Sequence, residues 1–237
     1  MAKEYKNILL KISGEILAAE TNNTFDNLIS NQIVEDIINL RNSEVNLAVV
    51  VGGGNIIRGI NHKDFNLSKN NADNMGMLST VLNGIFLKDL LLNNQVKSIV
   101  YSSFSISGIV KKFNQEEAKE AMRNGYVVIL VGGTGNPYFT TDTTAVLRAL
   151  ELDCDVLLKG TKVDGVYDKD PEKFSKVKKF TKLDYNYVIN NKLRIMDMTS
   201  IIMAEEANLP IIIFSIKKKN ELKKVIDRET EYTIISN

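Results

Sequence analysis

Several segments of this chain are apolar at every position, and they constrain the fold more than any other feature. The longest are Leu47–Val51 and Val127–Val131, and Ile211–Phe214 repeats the pattern near the C-terminus. A strand that is apolar on both faces is typical of parallel sheets covered by helices on both sides. Helical segments, with apolar residues at three- and four-residue spacing, occur between them at Gln32–Arg41 and about Ala72–Leu92. We therefore predict a three-layer α/β/α sandwich whose middle strands are largely parallel.

Shorter segments extend this pattern along the whole chain. Asn114 with Glu117 three residues later predicts a helix start, and Gly125 predicts its end. The polar, turn-rich section 161–182 predicts a hairpin or loop beside the sheet. Further strands are predicted at Ile8–Leu10, Ser98–Tyr101, Asp155–Leu158 and Tyr232–Ile235, and further helices at Thr143–Leu152, near Met198–Ala207 and from about Asn220.

Composition excludes several classes of protein. The 30 Lys and Arg residues are balanced by 29 Asp and Glu residues, so the basic footprint of a general nucleic-acid binder is missing. The single cysteine, Cys154, excludes an intramolecular disulfide and fits a reducing cytosol. The N-terminus lacks the long apolar region of a signal peptide, and no apolar run approaches the ~20 residues that cross a membrane. We expect a cytoplasmic protein with neither nucleic-acid nor membrane partners.

Three glycine-rich loops follow predicted strands directly. They are Lys11–Glu15, Gly52–Asn55 and Gly132–Pro137. Ligands bind at the carboxyl ends of strands in open α/β sheets, and glycine lets backbone N–H groups approach an anion closely. One such loop is weak evidence, but three in one chain predict a site for more than one phosphate group.

The common alternatives do not fit the spacing of these loops. The chain has no G-x-x-x-x-G-K-[ST] motif, and the residues after Gly52–Gly54 do not complete a dinucleotide fingerprint. The one histidine, His62, has no His or Cys partner nearby in the sequence, which argues against zinc chemistry and a Ser-His-Asp triad.

Four charged residues near the loops have a structural interpretation, and two of them, Lys11 and Arg58, have a functional one as well. Lys11 is either a strand-end lysine that reaches water or a cation that neutralises a transferred phosphoryl group. Arg58 is either a surface charge or a fork on a phosphate. Asp142 and Asp73, near helix starts, fit N-caps. Each structural interpretation is favoured singly, but together a lysine, an arginine, backbone amides and a carboxylate form the set that phosphoryl transfer needs.

Six motifs then occur in order along the chain: Lys11–Glu15, Gly52–Gly59, Ala72–Met77, Gly133–Asp142, Thr161–Tyr167 and Met196-Asp197. In these motifs, from about Asn7 to Ile235, the chain resembles the bacterial uridylate kinases of the amino-acid kinase superfamily. The resemblance implies a twisted, mainly parallel sheet of about eight strands in a single domain, 1–237. The acceptor-binding and dimer-forming part is expected mainly in 1–150 and the ATP-binding part mainly in 151–237.

The resemblance also implies an activity and its residues. The reaction is ATP + UMP → ADP + UDP with Mg²⁺, in pyrimidine nucleotide biosynthesis, by a homohexamer built as a trimer of dimers. The implied catalytic residues are Lys11, Arg58 and Asp142. The residues implied at ATP are Lys11, Ile12, Ser13, Gly14, Gly54, Arg58, Thr161, Tyr167 and Asp170. The residues implied at UMP are Gly53, Asp73, Thr134, Gly135, Asn136, Pro137, Tyr138, Phe139, Thr140 and Thr141. No metal ligand is implied, and Asp197 is implied near the active centre with its role open.

One departure from the family pattern concerns regulation. Relatives activated by GTP often carry a glycine-containing stretch after the first loop, whereas Ala18–Phe25 contains no glycine. The pattern therefore does not support GTP activation but leaves it open, and the residues do not indicate whether UTP inhibits.

Two competing functions stay open at this point. The first is a kinase of the same superfamily that phosphorylates a carboxylate, carbamate or phosphonate. It would share Lys11 and the glycine loops but not Asn136–Thr141. The second is a non-catalytic nucleotide-binding or metal-oxyanion storage protein on the same fold. The joint presence of Lys11, Arg58 and Asp142 argues against it.

Overall fold

The computed structural model describes residues 5–18, 24–57, 66–169, 171, 173, 174 and 176–237. The strands of this part of the chain are β1 (Asn7–Ile12), β2 (Asn46–Val51), β3 (Ser98–Ser102), β4 (Lys111–Lys112), β5 (Val127–Val131), β6 (Val156–Thr161), β7 (Val166–Tyr167), β8 (Lys179–Phe180), β9 (Lys182–Leu183), β10 (Ile211–Ser215) and β11 (Thr233–Ile235). The helices are α1 (Gly14–Leu17), α2 (Asn27–Arg41), α3 (Lys69–Asn93), α4 (Gln115–Arg123), α5 (Thr141–Glu151), α6 (Tyr185–Asn190), α7 (Met198–Glu206) and α8 (Glu221–Asp227).

One large sheet organises these elements, with the strand order β4-β3-β5-β2-β1-β6-β10-β11-β9 among the described residues. Every neighbouring pair is parallel except β10 and β11. The central strands β1, β2, β5 and β6 carry the apolar runs of the sequence, and nearly all of their residues are buried. The predicted mainly parallel sheet is confirmed. Its count is nine rather than about eight, and two of its members, β4 and β9, have only two residues each.

Two separate hydrophobic cores lie on opposite faces of this sheet. Alternate residues of β1 divide between them, with Ile8 and Leu10 on one face and Leu9 on the other. Helices α2, α3 and α8 cover the first face, and α4, α5, α6 and α7 cover the second. Because side chains alternate along a strand, an all-apolar strand needs both cores. The predicted three-layer architecture is confirmed.

Local signals in the sequence were accurate at some helix ends and wrong at others. The side chain of Asn114 caps α4 by accepting a hydrogen bond from the Glu117 N–H, as predicted. Section 161–182 contains the antiparallel pair β7 and β8, which confirms the hairpin. The helix predicted from Ala72 begins earlier, at Lys69. Ser68 is its N-cap, and the Ser68 hydroxyl accepts a hydrogen bond from the N–H of Asn71. Asp73 is therefore not an N-cap.

Helix α3 is long and apolar enough to cross a membrane by length and composition alone. The core helix of a soluble protein passes the same test. Here Leu87 and Leu91, on its inner face, are buried in the core against the sheet. We therefore interpret α3 as a core helix.

Candidate active site

Two lysines and one aspartate form a compact charged centre at the carboxyl ends of two central strands. Lys11 of β1 and Lys159 of β6 are register partners on adjacent parallel strands. The Lys11 Nζ lies 2.9 Å from Oδ1 of Asp142, and the Lys159 Nζ lies 2.8 Å from Oδ2. All three side chains are largely buried. One carboxylate thus holds two ammonium groups side by side.

The fold produces this cluster by placing α5 across the strand ends. Asp142 lies in the first turn of α5, whose buried residues Ala145 and Val146 pack in the same core as Leu9 and Leu157. Lys11 and Lys159 each follow two residues after those leucines, so their side chains leave the sheet on the same face. The positive end of α5 points at the same place, which favours anions there.

The charges of the cluster depend on one another. Burial by itself raises the pKa of Asp142, but the ammonium groups of Lys11 and Lys159 outweigh it and hold that pKa below its ordinary value. Burial lowers the pKa of Lys159, with Asp142 opposing that shift and Lys11 adding to it. Asp142 is therefore ionised at neutral pH. Its single negative charge faces two lysines, which leaves the centre cationic when both are protonated.

The N-cap interpretation of Asp142 is wrong, because a different residue caps α5. The hydroxyl of Thr140 accepts hydrogen bonds from the N–H groups of Asp142 and Thr143. With no capping bond of its own, the Asp142 carboxylate is directed to the lysines. The N-cap of α5 therefore lies two residues before the predicted position, at Thr140.

Asp197 anchors this helix start to a second helix. Its carboxylate accepts hydrogen bonds from the hydroxyls of Thr140 and Thr143, the latter at 2.9 Å. It also caps α7 by accepting from the Ser200 N–H. Asp197 therefore contacts the residues around Asp142 rather than the lysines themselves.

Lys159 was not recognised in the sequence, although a signal for it exists. Leu157-Leu158-Lys159 repeats the pattern Leu9-Leu10-Lys11, and each lysine interrupts an apolar run. The backbone carbonyl of Ile195 accepts a second hydrogen bond from Lys159 at 2.6 Å. A buried lysine with two hydrogen-bond acceptors is held in a single orientation. The glycine pattern that indicated Lys11 does not reveal such contacts.

A cleft of about 760 Å³ lies on one side of the charged centre. Lys11, Lys159, Ser13, Thr161 and Tyr167 are among the residues that line it. The other lining residues include Lys162, Val163, Gly165, Asp168, Leu193 and Ile213. Predicted ATP-site residues from the two halves of the chain are thus brought together. Of that predicted set, Ile12 is fully buried in β1.

A smaller cleft of about 330 Å³ is lined by Thr140 and Thr141, which directly precede Asp142. Gly53, Asp73, Phe139, Thr140 and Thr141 line it, all of them predicted for the acceptor. Gly54 lies here too, although the resemblance implied it at ATP. Lys69 and Met77 of α3 also line this cleft and were not predicted.

The middle of the third loop is held by its own hydrogen bonds. The Thr134 hydroxyl and the Asn136 N–H are 3.2 Å apart, and Gly135 donates its N–H to the Gly132 carbonyl. Thr134, Gly135, Asn136 and Pro137 are not among the described residues that line the smaller cleft. Tyr138 is largely exposed and donates its N–H to the Asp73 carboxylate at 2.7 Å. The loop therefore closes onto α3 through Asp73.

The first two glycine loops touch directly. A Cβ added at Gly14 would lie 2.5 Å from the carbonyl oxygen of Gly52, so only glycine permits this approach. Gly14 begins α1 and Gly52 follows β2. The contact brings the loop beside the larger cleft against the loop beside the smaller one.

Two predicted residues, Arg58 and Asp170, lie outside the described residues, as does His62. The stretch Ala18–Phe25 is described only in part. Among the described residues there is no group of three or more His, Cys, Asp or Glu side chains that could hold a metal ion.

The arrangement can bind two anionic ligands end to end. Each cleft has residues of a glycine loop in its lining, the lysine pair lines the larger cleft, and Thr140 and Thr141 of the smaller cleft directly precede Asp142. This geometry suits transfer of an anionic group from a ligand in one cleft to a ligand in the other, because cations stabilise the charge on the group in transit.

Comparisons with known proteins agree with this geometry. The sequence profile described as "Amino acid kinase family" matches residues 6–215. A uridylate kinase of Rickettsia bellii is 44% identical over 98% of this chain and 97% of its own. One of Bartonella bacilliformis is 42% identical over 100% of this chain and 99% of its own.

Solved structures give the same relationship. A crystal structure of UMP kinase from Ureaplasma parvum matches with a TM-score of 0.94 and 34% identity, and each chain is covered completely. A UMP kinase structure from Bacillus anthracis matches with a TM-score of 0.95 and 30% identity, covering 99% of this chain and 97% of that one. The chain belongs to the amino acid kinase family, and within that family to the uridylate kinases.

Proposed function

We propose that this enzyme transfers the γ-phosphoryl group of ATP to UMP and releases ADP and UDP, a step of pyrimidine nucleotide synthesis. The observation that carries this proposal is the lysine pair on Asp142, because the lysines line one cleft and the residues directly before Asp142 line the other. The full-length similarity to uridylate kinases selects the acceptor.

The larger cleft is proposed for ATP and the smaller one for UMP. The larger cleft draws most of its lining from 151–237 and is completed by Lys11, Ser13, Glu15 and Ile16. The smaller cleft is lined entirely by residues of 1–150. This division supports an acceptor half and a donor half within one domain. Ser13 and Gly14 are proposed at the ATP phosphates, and Thr161 and Tyr167 near the adenosine.

The acceptor site is proposed to close around UMP. Gly53, at the start of the smaller cleft, offers its backbone to the phosphate, and Asp73 accepts hydrogen bonds from the ribose. The loop from Thr134 to Thr141 is proposed to contact the uracil and ribose. Arg58 is proposed at the phosphates near the transfer point on the strength of the sequence pattern alone.

In the proposed reaction a phosphate oxygen of UMP attacks the γ-phosphorus of ATP. The new oxygen–phosphorus bond forms as the bond to the bridging oxygen of ADP breaks, and that oxygen keeps the electron pair. Lys11 and Lys159 stabilise the negative charge on the moving group and on the leaving oxygen. Asp142 contributes by fixing both ammonium groups, because each of its oxygens engages one of them.

Mg²⁺ is proposed to enter with ATP. The carboxylates near the centre are already engaged, Asp142 by two lysines and Asp197 by Thr143 and Ser200. That donor set fits an ion held mainly by phosphate oxygens and water, which Mg²⁺ commonly accepts. Bound there, the ion would neutralise part of the phosphate charge.

Self-association and location complete the proposal. The outer face of α3 exposes Leu78, Leu82 and Ile85 at helical spacing, each more than a third accessible. This stripe supports a contact between copies of the chain, as in the homohexamer implied by the sequence. A cytoplasmic location is proposed from the same resemblance and from the single buried cysteine, Cys154.

The experiment is a substrate panel with purified protein. ADP release is followed with Mg-ATP and UMP, CMP or AMP, each with and without GTP and UTP. We expect turnover with UMP at least tenfold above that with the other acceptors. Equal turnover of all acceptors contradicts UMP specificity, and nucleotide binding without any turnover supports the non-catalytic alternative.

A further inference from the structure

The inner face of α3 holds two of the glycine loops through buried polar side chains. The Thr80 hydroxyl accepts a hydrogen bond from the N–H of Gly132 at 2.7 Å while donating to the Met77 carbonyl in its own helix. Thr80 is 2% exposed. The first residue of the third loop is therefore fixed to α3 by one side-chain oxygen.

The second loop is held one helical turn further along α3. The Asn83 side chain, fully buried, donates to the Gly52 carbonyl at 2.6 Å. It also exchanges hydrogen bonds with Asn55, donating at 2.7 Å and accepting at 3.0 Å. Asn55 in turn donates to the backbone carbonyl of Thr24. A reciprocal amide pair of this kind fixes both ends of the Gly52–Asn55 loop.

Packing on the same face leaves these loops little freedom. A Cβ added at Gly53 would lie 2.7 Å from the Cβ of Ser79, so the second loop rests directly on the helix. A Cβ at Gly133 would lie 3.1 Å from the Met77 side chain, so the third loop does too. The hydrogen bonds of Thr80 and Asn83 therefore act on loops that already lie in contact with the helix.

We propose that Thr80 and Asn83 are positioning residues for the phosphoryl acceptor, Thr80 through Gly132 and Asn83 through Gly52. This inference rests on the proposed function, and it explains how the two loops are held in the geometry that binds the phosphoryl acceptor. The loops and the α3 residues that line the smaller cleft, Thr80 among them, form the proposed acceptor site. The hydrogen bonds of Thr80 and Asn83 set the position of the loops on α3, and neither side chain is placed at the reacting atoms.

Thr80 offers a matched set of variants. Thr80→Val keeps the shape and removes the acceptor, Thr80→Ser keeps the hydroxyl, and Ser79→Ala is the control. The Ser79 hydroxyl donates only within its own helix, to the Met75 carbonyl, and the substitution keeps the Cβ that Gly53 contacts. If Thr80→Val does not fold, Thr80→Cys, whose sulfur accepts weakly, takes its place.

We expect Thr80→Val to raise the KM for UMP about tenfold, the value of one hydrogen bond. The KM for ATP should stay within about twofold, and Thr80→Ser and Ser79→Ala should stay close to the wild type. A Thr80→Val enzyme with unchanged KM for UMP, or with equal increases for both substrates, overturns the assignment of Thr80.

Hydrogen–deuterium exchange provides a readout that does not depend on activity. Thr80→Val should speed exchange of the peptide containing Gly132 at least tenfold, and Thr80→Ser should not. Asn83→Ala removes the donor to the Gly52 carbonyl, while the Gly52 N–H stays bonded to Ile12. It should therefore speed exchange in the peptide containing the Gly52–Asn55 loop by loosening that loop, and lower kcat/KM for UMP about tenfold. Unchanged exchange in both variants overturns the proposal even if UMP is not the substrate. If the wild-type protein does not phosphorylate UMP but the variants show the expected exchange pattern, only the proposed function is contradicted.

Discussion

Lys11 and Lys159 are register partners on adjacent parallel strands, and their ammonium groups contact opposite oxygens of the Asp142 carboxylate at 2.9 and 2.8 Å. The sheet sets their spacing and α5 supplies the carboxylate between them. Two cations that share one anion retain capacity for a further anion. This relationship makes the centre suited to a phosphoryl group.

Replacing Lys159 by methionine should slow the reaction severely. Met keeps the apolar stem and removes the charge that we place beside the moving phosphoryl group. We expect kcat to fall about 100-fold or more, as for loss of one preorganised donor. Steady-state kinetics with Mg-ATP and UMP measures it.

Lys11→Met and the double variant, Lys11→Met with Lys159→Met, are measured for comparison. If the two lysines act as a unit, the double variant loses less activity than the product of the single losses. A Lys159→Met enzyme with kcat within threefold of the wild type would remove Lys159 from the catalytic centre.

Asp36 gives a prediction for pH-dependent stability. Burial raises its pKa to about 6 from the ordinary 3.8, although the Asn220 N–H donates to it. A raised folded-state pKa means that the folded state binds the proton more tightly. Stability from this group is therefore present at low pH and lost as the pH rises from about 4 towards 6.

Asp36→Asn removes this titration. Relative to the wild type, the unfolding free energy of the variant should rise by about 2 kcal/mol between pH 4 and pH 7. Urea unfolding at several pH values measures the difference. A constant difference across that range contradicts the prediction, and a difference of the opposite sign does so more strongly.

Two helical glycines of α3 should respond oppositely to alanine. A Cβ at Gly84 would lie 2.4 Å from Cγ1 of Val131, whereas a Cβ at Gly76 meets nothing within 4 Å. Gly84→Ala should lower the unfolding free energy by about 1–3 kcal/mol through overpacking. Gly76→Ala should raise it by about 0.5–1 kcal/mol through helix propensity. Urea denaturation that ranks the two variants in reverse order contradicts the packing of α3 on β5.

The exposed stripe of α3 predicts self-association. Leu82→Glu places a charge in the middle of the stripe and should lower the mass measured by sedimentation at micromolar concentration. Leu28→Glu is the control, because Leu28 is 82% exposed and belongs to a different helix, α2. A wild-type protein that sediments as a monomer contradicts the self-association proposal.

The sequence predicted the sheet and one side of the centre well. All-apolar strands leave few alternatives to a sheet covered on both faces, and Lys11 follows such a strand beside a glycine turn. The predicted helix starts were less reliable. Asp73 and Asp142 fitted N-caps in the sequence, but Ser68 and Thr140 are the N-caps of those two helices. Several polar residues compete for each cap, and only the backbone path selects one.

Lys159, Thr80 and Asn83 could not be assigned from local patterns. Their contacts are to Ile195, Gly132 and Gly52, which lie 31 to 52 residues away in the sequence. Contacts between residues so far apart in the sequence follow no fixed spacing that a local pattern could predict. The repeated Leu-Leu-Lys pattern for Lys159 became meaningful only when β1 and β6 were found to be neighbours.

The most direct test of the account follows the phosphoryl group itself. ATP labelled at the γ-phosphate is incubated with UMP and the wild type or Asp142→Asn, and the products are separated. We expect the label in UDP with the wild type and at least a 100-fold slower transfer with Asp142→Asn, which should remain folded by circular dichroism. Label that appears only in inorganic phosphate, or transfer at a near-normal rate by Asp142→Asn, would contradict the central claim.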